Sequence, residues 1–225
     1  MSTVKYKIPE NWINTYLAPR YPDLVAPFRE AADITLSALQ NGQLDNSELA
    51  TLLTYAASPK SILAENVVEM LGKLANAFPS AQEAIAEMAT SKKQAMRSKA
   101  LMALQFLAPG PLHEQIYANA LRDTSKTIRA TAAQVIQKSN LKTLLPVLAA
   151  AIECESDEEI RSWLNDSHSI LRDGYCLKKI IEEQIVWVTY QDANGSRSKS
   201  FSTDSHAHEL EAWVRLMTSQ RSPRT

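Results

Sequence analysis

His206-Ala-His208 is the part of this 225-residue chain that comes closest in composition to a metal ligand pair. The two imidazoles sit at i,i+2 near an expected helix start, a spacing that points the rings to different faces, so joint coordination is not expected. His113 falls beside another expected helix start and His168 inside a helix, and both read as surface or partly buried side chains. Trp163 and Asp166 are three residues apart and share one helix face. Cys154 and Cys176 form neither a CxxC motif nor a disulfide framework and read as small, partly buried thiols. There is no HExxH, no GxSxG and no glycine-rich phosphate loop. The expectation is therefore no catalytic residue, no metal and no cofactor.

The elements that position these residues are helical. Hydrophobic residues make up 45% of the chain and charged residues 22%, a globular balance. Only 5 glycines are present among abundant Ala and Leu, which favours helices and disfavours folds built on phosphate-cradling loops. No apolar run is long enough to cross a bilayer and no secretory signal is visible, so a soluble cytoplasmic protein is expected.

A repeat organises the middle of the chain. The apolar-Arg pairs Met96-Arg97, Ile128-Arg129 and Ile160-Arg161 recur 32 residues apart. The same step taken backwards reaches Ala64-Glu65 and Ala32-Asp33, and the column Leu36, Val68, Ala100, Ala132, Leu164 stays small or apolar. Each repeat reads as two helices. The first members are expected at 47–57, 80–89, 111–122 and 141–153, and the second at 61–75, 93–107, 126–138 and 158–171. Ser58-Pro59, Pro79, Pro109-Gly110-Pro111 and Asp123 punctuate them, because proline suits helix starts and breaks. Pro9–Ala18 reads as a short helix and Asp23–Gln40 as a longer one stopped by Asn41-Gly42; together they suit an N-terminal cap.

The run Leu144-Leu-Pro146-Val-Leu148, an acidic turn and Ile160-Arg161 resembles a HEAT-type repeat, as does Leu112…Leu121, Asp123, Ile128-Arg129. The resemblance covers about residues 47–172 well and residues 10–46 loosely. It implies an α-solenoid in which a turn Asp and a second-helix Arg form ladders between repeats. Asp123 and Arg129 match that pair, whereas Ser91 and Pro59 stand at the upstream positions and break the ladder. A tryptophan and a carboxylate on such a scaffold, here Trp163 and Asp166, also resemble alkylpurine DNA glycosylases built on these repeats, and bilin lyases use a similar scaffold; one such pair does not transfer an activity.

After Gly174 the period ends. Ile185–Tyr190 is β-branched and aromatic, Asn194-Gly195 suits a turn, and Arg197–Thr203 reads as a return strand. Cys176–Glu183 is compatible with a strand or a helix. Asp204 or Ser205 then caps a helix to about Ser219, with Ala207, Leu210, Val214 and Met217 on one face. This unit loosely resembles the ββα DNA-binding arms of phage-type integrases; the simpler reading is a cap that covers the last helix with residues such as Trp187.

The formal charge of -1 hides a block pattern: residues 92–142 carry a net +7 and residues 143–173 a net -5. In a HEAT-like array the second helices line the inner surface. Positions two, five and nine beyond the Arg column then face the groove: Val67, Met70 and Leu74; Lys99, Met102 and Phe106; Thr131, Gln134 and Lys138; Trp163 and Asp166. Of these, Met70, Lys99, Met102, Phe106, Gln134, Lys138, Trp163 and Asp166 form the expected partner-binding set.

The expected fold is mainly α: a right-handed α-α superhelix of about four to five HEAT-like helical pairs over residues 1–174, with 1–46 as the N-terminal cap and a small β-hairpin plus helix over 175–225. The expected function is a non-enzymatic protein-protein interaction module of the adaptor, inhibitor or immunity type, with another protein as partner and no membrane. The alternative is a nucleic-acid-binding or DNA-repair protein that uses the basic block 92–142.

Overall fold

The computed structural model describes residues 6–180, 185–192, 195–202, 209–210, 212–213 and 215–216. The chain is mainly helical and carries a small three-stranded antiparallel sheet toward its C-terminus. It divides into two compact units, residues 1–120 and 121–225. Among the described residues no helix is long and apolar enough to cross a membrane.

The first unit opens with α1 (Glu10–Trp12), a π-helical turn (Ile13–Leu17) and α2 (Ala18–Arg20). Ile13 and Leu17 are buried, while Trp12 stacks on Tyr16 at 5.6 Å and meets Phe28 at 5.2 Å. α3 (Val25–Asn41) follows and stops at Gly42, whose φ of 70° is the left-handed C-cap that the Asn-Gly signal predicts. α4 (Asn46–Ala56) begins with a reciprocal capping box between Asp45 and Glu48. α5 (Ser61–Leu74), α6 (Pro79–Ala89), α7 (Gln94–Leu104) and α8 (Pro111–Ala120) complete the unit, with Pro79 and Pro111 at first helical positions.

Packing in this unit runs between alternate helices as well as between neighbours. α4 pairs with α5 and α6 with α7, while α3, α5 and α7 pack in sequence and α6 packs on α8. Gly72 permits the closest approach: a Cβ there would lie 2.2 Å from the Ala103 carbonyl oxygen and 2.9 Å from Phe106 Cβ. Of the small or apolar column of the repeat, Val68 and Ala100 are inaccessible in this unit and Leu36 is half-buried; Ala64, Val67, Leu71 and Leu104 join them in the core.

The second unit contains α9 (Lys126–Lys138), α10 (Leu145–Cys154) and α11 (Glu158–Asp173). α11 packs against both α9 and α10 and ends at Gly174, φ 92°. Three strands follow, β1 (Tyr175–Ile180), β2 (Ile185–Asp192) and β3 (Gly195–Ser202), in that order across the sheet. The region that periodicity left undecided is therefore a third strand, and the hairpin is one side of a meander. Directly paired residues share a face. Val186 pairs with Phe201 and Val188 with Lys199, so Val186, Val188 and Phe201 form one apolar side, closed by Tyr175, Leu210 and Trp213. β1 packs on α11, and Cys176, on the other side of the sheet, is buried. Trp187, expected to cover the last helix, is 40% exposed. The anchoring tryptophan is Trp213, edge-on to Tyr190 at 4.6 Å. The expected helix is present at Glu209-Leu210, Ala212-Trp213 and Arg215-Leu216. His206, His208, Asn194, Asp204, Ser205, Ala207, Val214 and Met217 lie outside the described residues.

Candidate functional site: the exposed faces of the second helices

The turns that lead into α5, α7, α9 and α11 share one hydrogen bond. Ser58, Ser91, Asp123 and Glu155 each accept, through a side-chain oxygen, the backbone N–H two residues on: Lys60 at 3.2 Å, Lys93 at 3.2 Å, Ser125 at 2.7 Å and Asp157 at 3.0 Å. Each donor residue is the N-cap of the helix that follows. The steps between these acceptors are 33, 32 and 32 residues.

This register corrects the expected groove positions on α5. A uniform step of 32 chose Val67, Met70 and Leu74, but they are 0%, 2% and 0% exposed. One residue is about 100° of helix rotation, enough to turn a solvent face into the core. The equivalent positions are Asn66, Glu69 and Lys73, all half-buried. Met70 therefore does not belong to a partner surface. Ser58 replaces Pro59 as the upstream turn residue, so the turn hydrogen bond is shared by all four turns, although Ser58 and Ser91 carry no ladder carboxylate.

In the first unit the corrected face comprises Asn66, Glu69 and Lys73 on α5 and Lys99, Met102 and Phe106 on and just after α7. Phe106 is 40% exposed and Met102 half-buried. Lys99 is not a free cation. Its Nζ donates to the Ala56 carbonyl at 2.7 Å and the Ser58 carbonyl at 3.3 Å, closing the C-terminus of α4. Burial lowers its pKa, partly offset by Glu65. Lys73 pairs with Glu69 at 2.5 Å and lies over the rings of Tyr6 and Phe106, 5.3 and 5.9 Å from their centroids. Asn76 ties the neighbouring turns: its Nδ2 donates to the Phe106 carbonyl at 2.9 Å and its Oδ1 accepts from Ala108 N–H at 2.8 Å.

In the second unit Gln134 and Lys138 are exposed on α9, and Trp163, 39% exposed, lies on α11 with half-buried Asp166. Trp163 stands 32 residues after Thr131 and Asp166 32 after Gln134, so the same helical positions open on two helices that pack directly together. Asp166 also lines an open depression of about 320 Å³ between α11 and β1, with Asn165, Ser169, Asp173, Tyr175 and Leu177. The lining is polar and holds two carboxylates, which suits a cationic or amide-bearing group. Asp173 is paired with Arg172 at 2.6 Å.

The repeated arginines serve the scaffold. Arg97 donates to the Ser91 and Lys92 carbonyls at 2.9 and 3.2 Å, and Arg129 donates to the equivalent Asp123 and Thr124 carbonyls at 2.8 and 3.3 Å. Arg129 further makes a two-pronged bond to Glu155, 2.6 and 2.9 Å. The acid that Arg129 meets is thus the turn residue 32 positions after Asp123, with Glu155 in the place of the expected Asp. Hydrogen bonding to Arg129 holds the Glu155 carboxyl below its usual range. Arg161 departs from the pattern, since it is exposed and pairs with Glu158 at 3.7 Å.

The remaining sequence candidates take structural or surface places. His113 is buried, with Nε2 donating to the Leu104 carbonyl at 2.7 Å. His168 is half-buried, its pKa lowered by burial and then by Arg172. Cys154 is exposed and Cys176 buried, and neither is in a disulfide. Among the described residues no group of three His, Cys, Asp or Glu side chains is arranged to hold a metal ion. What sequence reading missed is Tyr6 at the Lys73 face, for which no local signal exists, and Asn66, Glu69 and Lys73, for which the Ser58 turn was the available signal. The chain matches no protein-family model, no curated protein and no solved structure.

Proposed function

We propose that this chain is a non-enzymatic protein-interaction module, a HEAT-like α-solenoid that presents the exposed faces of its second helices to another protein as an adaptor, inhibitor or immunity-type binder. The observation that carries this reading is Trp163, a large aromatic left 39% exposed on α11 amid polar Gln134, Lys138 and Asp166. A rigid tryptophan within a polar surround has the composition of an interface anchor. The repeated turn hydrogen bonds support the HEAT-like assignment. The nucleic-acid reading is weakened, since Arg129 and Lys126 of the basic block pair with Glu155 and Asp157 while the donors of Arg97 and Lys99 are engaged by backbone carbonyls.

The test compares wild-type, Trp163→Ala and Gln134→Arg proteins as affinity baits, with thermal unfolding of each as the folding control. A partner recovered by the wild type and lost from both equally stable variants supports the reading. Equal recovery by all three baits, or no specific partner at all, overturns it.

A further inference from the structure

The corrected face of the first unit is already occupied by a short piece of the chain itself. Tyr6-Lys7-Ile8 has no regular structure, yet Tyr6 is half-buried. Its ring meets the Lys73 ammonium 5.3 Å from the centroid, while Lys73 is held by Glu69 and lies 5.9 Å from the Phe106 ring centroid on its other contact. Burial, followed by the negative charges of Glu69 and Asp33, pushes the Tyr6 hydroxyl up to about 12. Asp33 lies on α3, Glu69 and Lys73 on α5, and Phe106 just after α7; Tyr6 meets Lys73 directly, and Lys73 links it to Phe106. Asp33 precedes Asn66 by the same 33-residue step that relates Asn66 to Lys99, which places it in the same column of the face.

We propose that Tyr6 is a resident occupant of the partner-binding face, and that this face accepts an aromatic side chain carried on an extended peptide segment. A partner segment of that chemistry must displace Tyr6-Lys7-Ile8 to bind. The chemistry is specific. Lys73, which also lies over the Phe106 ring, offers a cation to a ring face, and Glu69 and Asp33 favour a neutral hydroxyl or a cationic neighbour over an acidic one. Tyr6 followed by exposed Lys7 meets these requirements. A site filled for more than nine-tenths of the time by its own segment weakens an external ligand by about tenfold. The inference rests on the proposed interaction function and names the partner chemistry of one of its faces.

The test uses the full chain, wild type and Tyr6→Ala, with a fluorophore-labelled peptide of residues 2–10 as the probe at up to about 1 mM. The expected result is binding to Tyr6→Ala at least about tenfold tighter than to the wild type. It should be abolished by Lys73→Ala or Phe106→Ala in the Tyr6→Ala background, and by replacing the peptide tyrosine with alanine. Equal affinity for both proteins, binding indifferent to Lys73 and Phe106, or no binding to either protein overturns the proposal. Both Tyr6→Ala and the double variants are checked for an unchanged unfolding midpoint before titration, and Phe106, being exposed, gives the variant least exposed to a folding artefact. The result is independent of the Trp163 baits. Peptide binding without any Trp163-dependent partner leaves the strap standing and removes the wider reading; the converse removes the strap alone.

Discussion

Arg129 and Glu155 show how a single pair couples two turns. The guanidinium side chain is 17% exposed and the carboxylate 3% exposed, so each charge depends on the other for its hydrogen bonds. Glu155→Ala leaves Arg129 without its carboxylate and is expected to cost about 3 kcal/mol in urea unfolding, whereas replacing the pair together with Met and Leu should cost much less. The Glu155 pKa is depressed in the folded chain. Its stabilisation is therefore complete above the ordinary glutamate value of about 4.3 and is lost as pH falls through the folded value. His113 works at a different pH. Burial depresses its pKa, opposed by the hydrogen bond to the Leu104 carbonyl. The folded state binds this proton less readily than the unfolded state, so stability is greatest above about pH 6.5 and declines as pH falls from there toward the folded value. The unfolding free energy measured from neutral pH down to about pH 5 should fall in the wild type and fall less steeply in His113→Phe, the remaining slope belonging to His168; an unchanged slope in the variant would show that His113 does not contribute.

Close helix approach is the next constraint. Gly72 has no positive φ to justify it; its role is space, because a methyl group there would overlap the Ala103 carbonyl at 2.2 Å. Gly72→Ala is expected to destabilise by about 2–3 kcal/mol despite the gain in helix propensity, read as a lower urea midpoint. The sheet gives a paired prediction. Trp213 packs on Val186, Val188 and Phe201, while Trp187 points away from that cluster. Trp213→Ala should cost at least about 2 kcal/mol and Trp187→Ala less than about 1 kcal/mol, read from the loss of sheet protection in hydrogen exchange.

At the scale of the whole chain, charge decides between kinds of partner. The net +7 of residues 92–142 is a count of side chains, not of available cations. Arg97, Lys99 and Arg129 complete turns and helix ends, where their positive charge answers carbonyl oxygens or Glu155. Binding to duplex DNA is therefore expected to be weak and to vanish between about 50 and about 200 mM salt, with no sequence preference; tight binding that persists at the higher salt would reinstate the nucleic-acid reading. Helix boundaries were legible from the sequence almost throughout, because proline, the Asn41-Gly42 stop and apolar spacing are local signals. The strand at Tyr175–Ile180 was not, because six residues of mixed pattern acquire their conformation from pairing with Ile185–Tyr190. Of the expected site, Phe106, Gln134, Trp163 and Asp166 were placed on exposed or half-exposed positions. Met70 was lost to a one-residue register error and Lys99 to a carbonyl cap.

The sequence by itself determined where most helices begin and end and that they repeat, since these follow from turn chemistry and periodicity within a few residues of one another, while the one-residue shift of register on α5 came from the folded turn at Ser58. Only the tertiary structure decided which polar side chains remain available. Arg129 is consumed by a residue 26 positions away and Lys99 by one 43 positions away, and Tyr6 reaches Lys73 across an interval in which no local pattern operates. Those pairings are contacts closed by folding, and their strength comes from burial that the linear chain does not contain.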